Sequence, residues 1–243
     1  MTIAIVGYGK MGRMIERLAT ERGITVALKL DEFNNVDFAG ITPASFADID
    51  VAIDFSTPST VIGNIERIAP LGVNLVIGTT GWQGQMPHVK AIVEKHGIGL
   101  VWSPNFSVGV NAFLRIVSAA AKLLSNEPEY EAWAWEIHHS AKKDAPSGTL
   151  KKLAQVMRAH GYDRGIDLSA SRAGAVPGTH EIGFDSLGDT ITLRHTARSR
   201  EGFARGALQA ARWVVGKRGF FEFREIVGEL GVEKDVEVEA IEK

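Results

Sequence analysis

The sequence predicts an α/β protein: an open, mostly parallel sheet wrapped by helices, followed by a second domain of α+β character. Three observations carry this expectation. Short β-branched apolar runs alternate with stretches of helical periodicity through the first hundred residues. Those runs are apolar almost throughout rather than at every second position, which is how strands covered on both faces of a parallel sheet read. After Asn105 the alternation gives way to a longer helix and spaced strands.

Taken in order, Thr2–Val6, Ile24–Leu30, Val51–Phe55, Val73–Ile77 and Ile98–Trp102 read as strands. Met11–Arg22, Pro58–Ile68 and Met86–Lys95 read as the helices between them. Pro58 lies near a helix start, and Gly23, Gly72 and Gly97 lie just past helix ends. Beyond Asn105 the expected elements are a helix at Val110–Leu124, a strand at Tyr130–His138, a helix at Leu150–His160, and strands at Glu181–Asp185 and Thr190–Thr196. An amphipathic helix at Gly202–Val215 and the aromatic segment Phe220–Leu230 close the pattern, their aromatic content suggesting a return onto the first domain. The acidic stretch Glu233–Lys243 reads as a strand or a frayed end.

Bulk properties remove several function classes. The 243 residues are 45% hydrophobic and 23% charged, the balance of an ordinary globular chain. A net charge of −2 without a long Lys/Arg run offers no field for nucleic acid. With no cysteine there is no disulfide, thiolate nucleophile or cysteine zinc site, and a reducing cytoplasm suits the chain. Neither a signal peptide nor a membrane span is expected.

Ile3-Ala4-Ile5-Val6-Gly7-Tyr8-Gly9-Lys10-Met11-Gly12 places G-x-G-x-x-G between a strand and a helix, the context of a dinucleotide-binding turn. Gly7 permits the tight turn, Gly9 lets the backbone approach a pyrophosphate, and Gly12 lets helix pack on strand. Asp31, 19 residues past Gly12 at the end of the second strand, is placed to accept hydrogen bonds from the adenosine ribose; a plain solvated loop is the alternative there. Asp31 and Glu32 would repel a 2′-phosphate unless Lys29, Lys10 or Arg13 compensates. NADH is therefore favoured, with NADPH possible. Gly78-Thr79-Thr80-Gly81 and Ser103-Pro104-Asn105-Phe106 fall at the carboxyl ends of strands, where open parallel sheets hold ligands, and both are expected to border the nicotinamide.

The segment Glu136-Ile137-His138-His139-Ser140-Ala141-Lys142-Lys143-Asp144-Ala145-Pro146-Ser147-Gly148-Thr149 concentrates proton donors between a strand and a helix. Adjacent His138 and His139 on a strand point to opposite faces and do not easily chelate one metal, so no metal is assigned. A histidine exchanges protons near neutral pH, and Lys142 offers a positive charge or a general acid. Ser147-Gly148-Thr149 opens the next helix, whose free N–H donors, dipole and hydroxyls suit a carboxylate or phosphate. An ordinary N-cap at Ser147 is the plainer alternative. Trp133 and Trp135 share a strand face with Ile137 and read as core or subunit packing.

Together these residues resemble the dihydrodipicolinate reductase family. The pattern E-x-H-H-x-x-K-x-D-A-P-S-G-T is met in full at Glu136–Thr149, and V-G-x-G-x-M-G-R, G-T-T-G at Gly78–Gly81 and N-F-S-x-G-V-N at Asn105–Asn111 follow in order. The resemblance implies a Rossmann-type domain of residues 1–106 and 201–243, and an α+β domain of residues 107–200 that binds substrate and forms a homotetramer. It implies hydride transfer from NAD(P)H to a cyclic imine dicarboxylate in lysine and diaminopimelate synthesis. His138 would act in proton transfer, Lys142 as proton donor, and His139, Gly148 and Thr149 as holders of substrate carboxylate. Glu32 stands where some relatives carry an arginine that accepts NADPH, and the segment after Gly161 is shorter than in the longer members. A semialdehyde dehydrogenase would usually need the cysteine this chain lacks. A dinucleotide sensor without catalysis would not need His138, His139 and Lys142.

Overall fold

The structure, a computed structural model, describes residues 1–230, so Glu233–Lys243 lies outside the described residues. The chain opens with β1 (Thr2–Val6), α1 (Lys10–Thr20), β2 (Thr25–Leu30), β3 (Val51–Asp54), α2 (Val61–Ile68), β4 (Asn74–Ile77), α3 (Met86–His96) and β5 (Gly99–Trp102). It continues with α4 (Val108–Leu124), β6 (Glu131–His138), α5 (Gly148–Ala159), β7 (Ile166–Arg172), β8 (Thr179–Asp185) and β9 (Thr190–Thr196), then α6 (Glu201–Val214), β10 (Gly219–Glu222) and α7 (Phe223–Ile226). Two compact units result. One holds residues 1–106 with the described residues from Ala204 onward; the other is Ser107–Phe203.

In the first unit six strands, all parallel, run in the order β10-β5-β4-β3-β1-β2. The expected strands are present with ends shifted by a residue. Their near-continuous apolarity has the anticipated cause, since Ile3, Ala4, Ile5, Val51, Ala52, Ile53, Leu75, Val76 and Ile77 are all fully buried. Helix α2 begins at Val61 rather than Pro58, because the hydroxyls of Thr57, Ser59 and Thr60 bond one another and hold a turn ahead of it. The C-terminal return is an edge strand. β10 pairs with β5, and Phe220 packs edge-on against Trp82 at 6.5 Å and beside Trp102 at 6.2 Å. Such aromatic pairs add about 0.5–1.5 kcal/mol each beyond burial.

The second unit is a four-stranded mixed sheet, order β7-β6-β8-β9, with β7 parallel to β6 and the other pairs antiparallel. Helices α4 and α5 cover one face: Phe113, Val117, Leu150, Leu153 and Met157 pack on Ala132, Ala134, Ile182 and Phe184. Strand β7 was not anticipated. Its Ile-Asp-Leu-Ser-Ala-Ser-Arg has no β-branched run, and its edge position asks for none. Arg164 donates to the Leu124, Ser125 and Glu127 carbonyls, adding to the bonds from the Glu127 and Tyr130 amides that close the carbonyl end of α4.

Candidate active site

Within the first unit, the glycine turn is built by close approach. Gly7 has φ +88°, and a Cβ there would lie 2.4 Å from the Phe55 carbonyl carbon after β3. A Cβ on Gly12 would lie 2.8 Å from the Gly7 oxygen, whereas one on Gly9 would meet only open space. No side chain caps α1, and its first internal bond runs from the Arg13 amide to the Gly9 carbonyl, so the amides of Lys10, Met11 and Gly12 head an uncapped helix. An open-faced glycine before uncapped donors fits a pyrophosphate. The Asp31 Oδ1 accepts from the Phe33 and Asn34 amides, which fixes its carboxylate at the end of β2.

Charged and hydroxyl groups of these turns have internal partners. Lys29, offered as a counter-charge for a 2′-phosphate, is held 3.0 Å from Glu16 Oε1, and Tyr8 donates its hydroxyl to Glu16 Oε2. That hydrogen bond raises the Tyr8 pKa and lowers that of Glu16, and the bond Lys29 donates to Glu16 raises Lys29. Arg13 lies over the Tyr8 ring at 5.7 Å, and Lys10 is exposed. Thr79, expected to face the nicotinamide, is buried with its hydroxyl donating to Asp54 Oδ1 at 2.7 Å. The exposed Thr80 and half-buried Gly78 remain at the surface of that loop.

Asp54 is the hidden hub of these turns. Fully buried at the end of β3, it accepts from the Ser56 amide and hydroxyl, from Thr79, and from the Asn64 amide of α2. Burial still pushes its pKa up. In the third loop, Ser103 Oγ bonds the Asn105 carbonyl and amide, closing a local turn that leaves Pro104 exposed. Phe106 points inward from this loop. Its ring enters the core against Phe223 at 4.8 Å and Phe55 at 6.2 Å, because Gly206 lets α6 come up against the Phe106 carbonyl.

Within the second unit, the alternation of β6 sends Glu136 and His138 to the face covered by α5, with Ala132 and Ala134, and leaves Trp133, Trp135 and Ile137 on the other. Glu136 is wholly buried. Its Oε1 accepts from the Ser147 amide and from Arg172 Nη2, each at 2.8 Å, and its Oε2 from the Ser147 hydroxyl. Ser147 Oγ also accepts from the Leu150 amide, so Ser147 is the N-cap of α5 and its donors are spent internally. Ser147 thus caps the helix whose head the sequence assigns to a substrate carboxylate. Gly148 is exposed, with open space where a Cβ would be, and Thr149 and His139 are half-buried. The Lys142 amide bonds the His139 carbonyl, and its ammonium pairs with Asp144 at 2.7 Å.

Two residues of this cluster had no signal in the sequence. His180, on β8, stacks edge-on against His138 at 5.1 Å, with its Nε2 3.3 Å from Glu136 Oε2. Arg172, on β7, bonds Glu136 and the Asp144 carbonyl. Burial pulls His180 down to about 4, and neighbouring His138 adds to the fall. Burial also lowers His138, against the pull of Glu136, while Lys142 and Arg172 lower it further. Burial would raise Glu136, but its bonds from Ser147 and Arg172 outweigh it and hold the carboxylate below its ordinary value. Ligand atoms of Glu136, His138 and His180 lie within 4.8 Å of one another. A guanidinium 2.8 Å from the same carboxylate opposes a metal cation there.

A family model described as dihydrodipicolinate reductase, N-terminus, matches residues 1–106, and one described as dihydrodipicolinate reductase, C-terminus, matches residues 109–227. The 4-hydroxy-tetrahydrodipicolinate reductase of Christiangramia forsetii is 35% identical, over 95% of this chain and 99% of the relative. That of Archaeoglobus fulgidus is 37% identical, over 91% of this chain and 97% of the relative. A dipicolinate-bound dihydrodipicolinate reductase from Paenisporosarcina sp. TG-14 shares the fold, with a TM-score of 0.80 at 23% identity over 93% of this chain and 99% of that one.

Proposed function

The chain belongs to the dihydrodipicolinate reductase family, and from that membership we propose which of its residues carry the reaction and which dinucleotide it takes. The reaction is that of 4-hydroxy-tetrahydrodipicolinate reductase in lysine and diaminopimelate biosynthesis: NAD(P)H-dependent reduction of a cyclic imine dicarboxylate to tetrahydrodipicolinate. The bound dinucleotide supplies the hydride.

The amides of Lys10, Met11 and Gly12 receive the pyrophosphate over Gly9, and Asp31 accepts from the adenosine ribose. NADH is the preferred form. Asp31 and Glu32 repel a 2′-phosphate, and the nearest strand cation, Lys29, is already neutralised by Glu16. Lys142 donates the proton, His138 takes part in acid/base transfer, and His139, Gly148 and Thr149 hold substrate carboxylate at the head of α5.

One observation carries the substrate reading. The Asp144 carboxylate pairs with the Lys142 ammonium at 2.7 Å, and the Gly148 amide at the head of α5 helps to lower its pKa, so a cation and a helix N-terminus both favour an anion at this position. A small dicarboxylate offers the same group. The sheet face that α4 and α5 leave uncovered carries Trp133, Trp135 and Ile137, which supports assembly into a homotetramer through the second unit, the enzyme acting in the cytoplasm. The test is NADH oxidation with freshly generated synthase product. Turnover lost in His138→Ala and Lys142→Ala is the expected result, and no NADH consumption by the unaltered chain would overturn the assignment.

A further inference from the structure

Of the groups that touch His138, the carboxylate of Glu136 has no role in the reaction as described so far. Its Oε2 lies 3.7 Å from His138 Nδ1, beyond hydrogen-bond reach, and that nitrogen is buried without a partner. A buried imidazole nitrogen left bare is costly, about 1–3 kcal/mol, unless some state of the enzyme uses it. Among the described residues, Glu136 is the one carboxylate within 4.0 Å of it.

We propose that Glu136 is the positioning residue for His138: when the ring is protonated, Nδ1–H closes onto Glu136 Oε2, and the two act as one acid/base unit. This rests on the reading of His138 as the proton-transferring group. The carboxylate is prepared for the role. Arg172 Nη2 and the Ser147 amide fix Oε1, so only Oε2 turns toward the histidines. The Ser147 hydroxyl and His180 Nε2 flank Oε2 and limit its movement. Every other charged group near His138 is accounted for. Lys142 and Arg172 oppose a positive ring, Asp144 favours it weakly from the exposed side, and His180, edge-on at 5.1 Å, stays neutral. Without Glu136, a protonated ring would be enclosed by a histidine and two cations, and the acid form needed for turnover would be lost. Proton balance is simple. One hydride and one proton reach the ligand: Lys142 gives the proton, the His138 imidazolium restores it to Lys142 and regains one from solvent, and Glu136 stays ionised throughout, as its pairing with Arg172 requires.

The same carboxylate fixes the Ser147 cap, so loss of shape must be separated from loss of charge. Glu136→Gln keeps the shape and the Oε1 acceptor. It is expected to lower kcat at least tenfold with KM for NADH unchanged, and to move the His138 titration and the descending limb of the kcat profile to lower pH. Glu136→Asp keeps the charge but draws it back, and should shift both in the same direction by less. A His138 titration and pH limb unmoved in a folded Glu136→Gln variant would overturn the proposal while leaving His138 its role. An active His138→Gln variant would overturn both. Should the Glu136 variants fail to fold, nitrogen NMR of the unaltered protein below the His138 titration point decides. A slowly exchanging, hydrogen-bonded Nδ1–H supports the unit, and a freely exchanging one overturns it.

Discussion

The Lys142 ammonium lies 2.7 Å from the Asp144 carboxylate, so the proposed proton donor enters turnover already paired with an internal anion. A dianionic substrate must displace that anion or share its partners. Asp144→Asn removes the competitor, and KM for the dicarboxylate is expected to fall about two- to tenfold, the range of an exposed charge interaction. Steady-state kinetics with a fixed, saturating dinucleotide check this, and a rise in KM would show that Asp144 positions Lys142 rather than competing for its partner.

Lys142→Ala is expected to cut kcat/KM for substrate by on the order of a hundredfold or more, while dinucleotide affinity measured by fluorescence titration stays within about twofold. Lys142 belongs to the second unit and the glycine turn to the first, so an equal loss of both would contradict that division.

Glu16 is expected to govern cofactor choice through Lys29. Releasing Lys29 by Glu16→Gln should raise kcat/KM for NADPH several-fold, about the strength of one charge contact, with NADH use little changed. Lys29→Met alone should leave NADPH use as it is, yet erase the gain when combined with Glu16→Gln. A gain that survives in the double variant would place the counter-charge at Lys10 or Arg13.

His180 sets an acid limit on stability. Its folded value of about 4 lies below the ordinary 6.5, so the unfolded chain binds this proton first as pH falls. The stability held by the neutral form is intact above about pH 7 and declines between there and pH 4, by on the order of 2–3 kcal/mol. Glu136 adds a further loss at lower pH, since its folded value is depressed. Melting temperatures across this range should flatten in His180→Gln, and an unchanged slope would remove His180 as the cause.

Gly206→Ala is expected to cost about 1–3 kcal/mol or more by overpacking, because its Cβ would stand 1.8 Å from the Phe106 carbonyl oxygen. Thermal melts read the loss. The Ser103–Phe106 loop ends at that carbonyl, so KM for NADH should rise in the same variant while KM for the dicarboxylate does not.

What could be read from the sequence was whatever is local. The glycine turn, each strand of the parallel sheet and the His138–Thr149 segment are written in about a dozen consecutive residues or fewer, and periodicity or spacing reports such stretches. The supports were not legible for the opposite reason. Arg172 and His180 lie 36 and 44 positions beyond Glu136, on strands that only tertiary pairing brings alongside β6. Ser147 and Thr79 carried the right chemistry for ligand contact, but two buried carboxylates, Glu136 and Asp54, claim their hydroxyls first. A hydroxyl in a motif does not reveal which way it faces. The inward turn of the Phe106 ring was equally illegible, since the glycine that lets α6 come up against it stands 100 residues later.

The pairing of β10 with β5 has a consequence for how the chain comes into being. Five strands of the first sheet leave the ribosome early, but the edge against β5 stays open until residues 219–222 have been made, after the whole of the second unit. During that interval Leu100 and Val101 sit on an unprotected strand edge, the kind that recruits strands from other chains. Translation past residue 222 is therefore the step that seals the nascent first domain, and chains stalled before it should be the aggregation-prone ones.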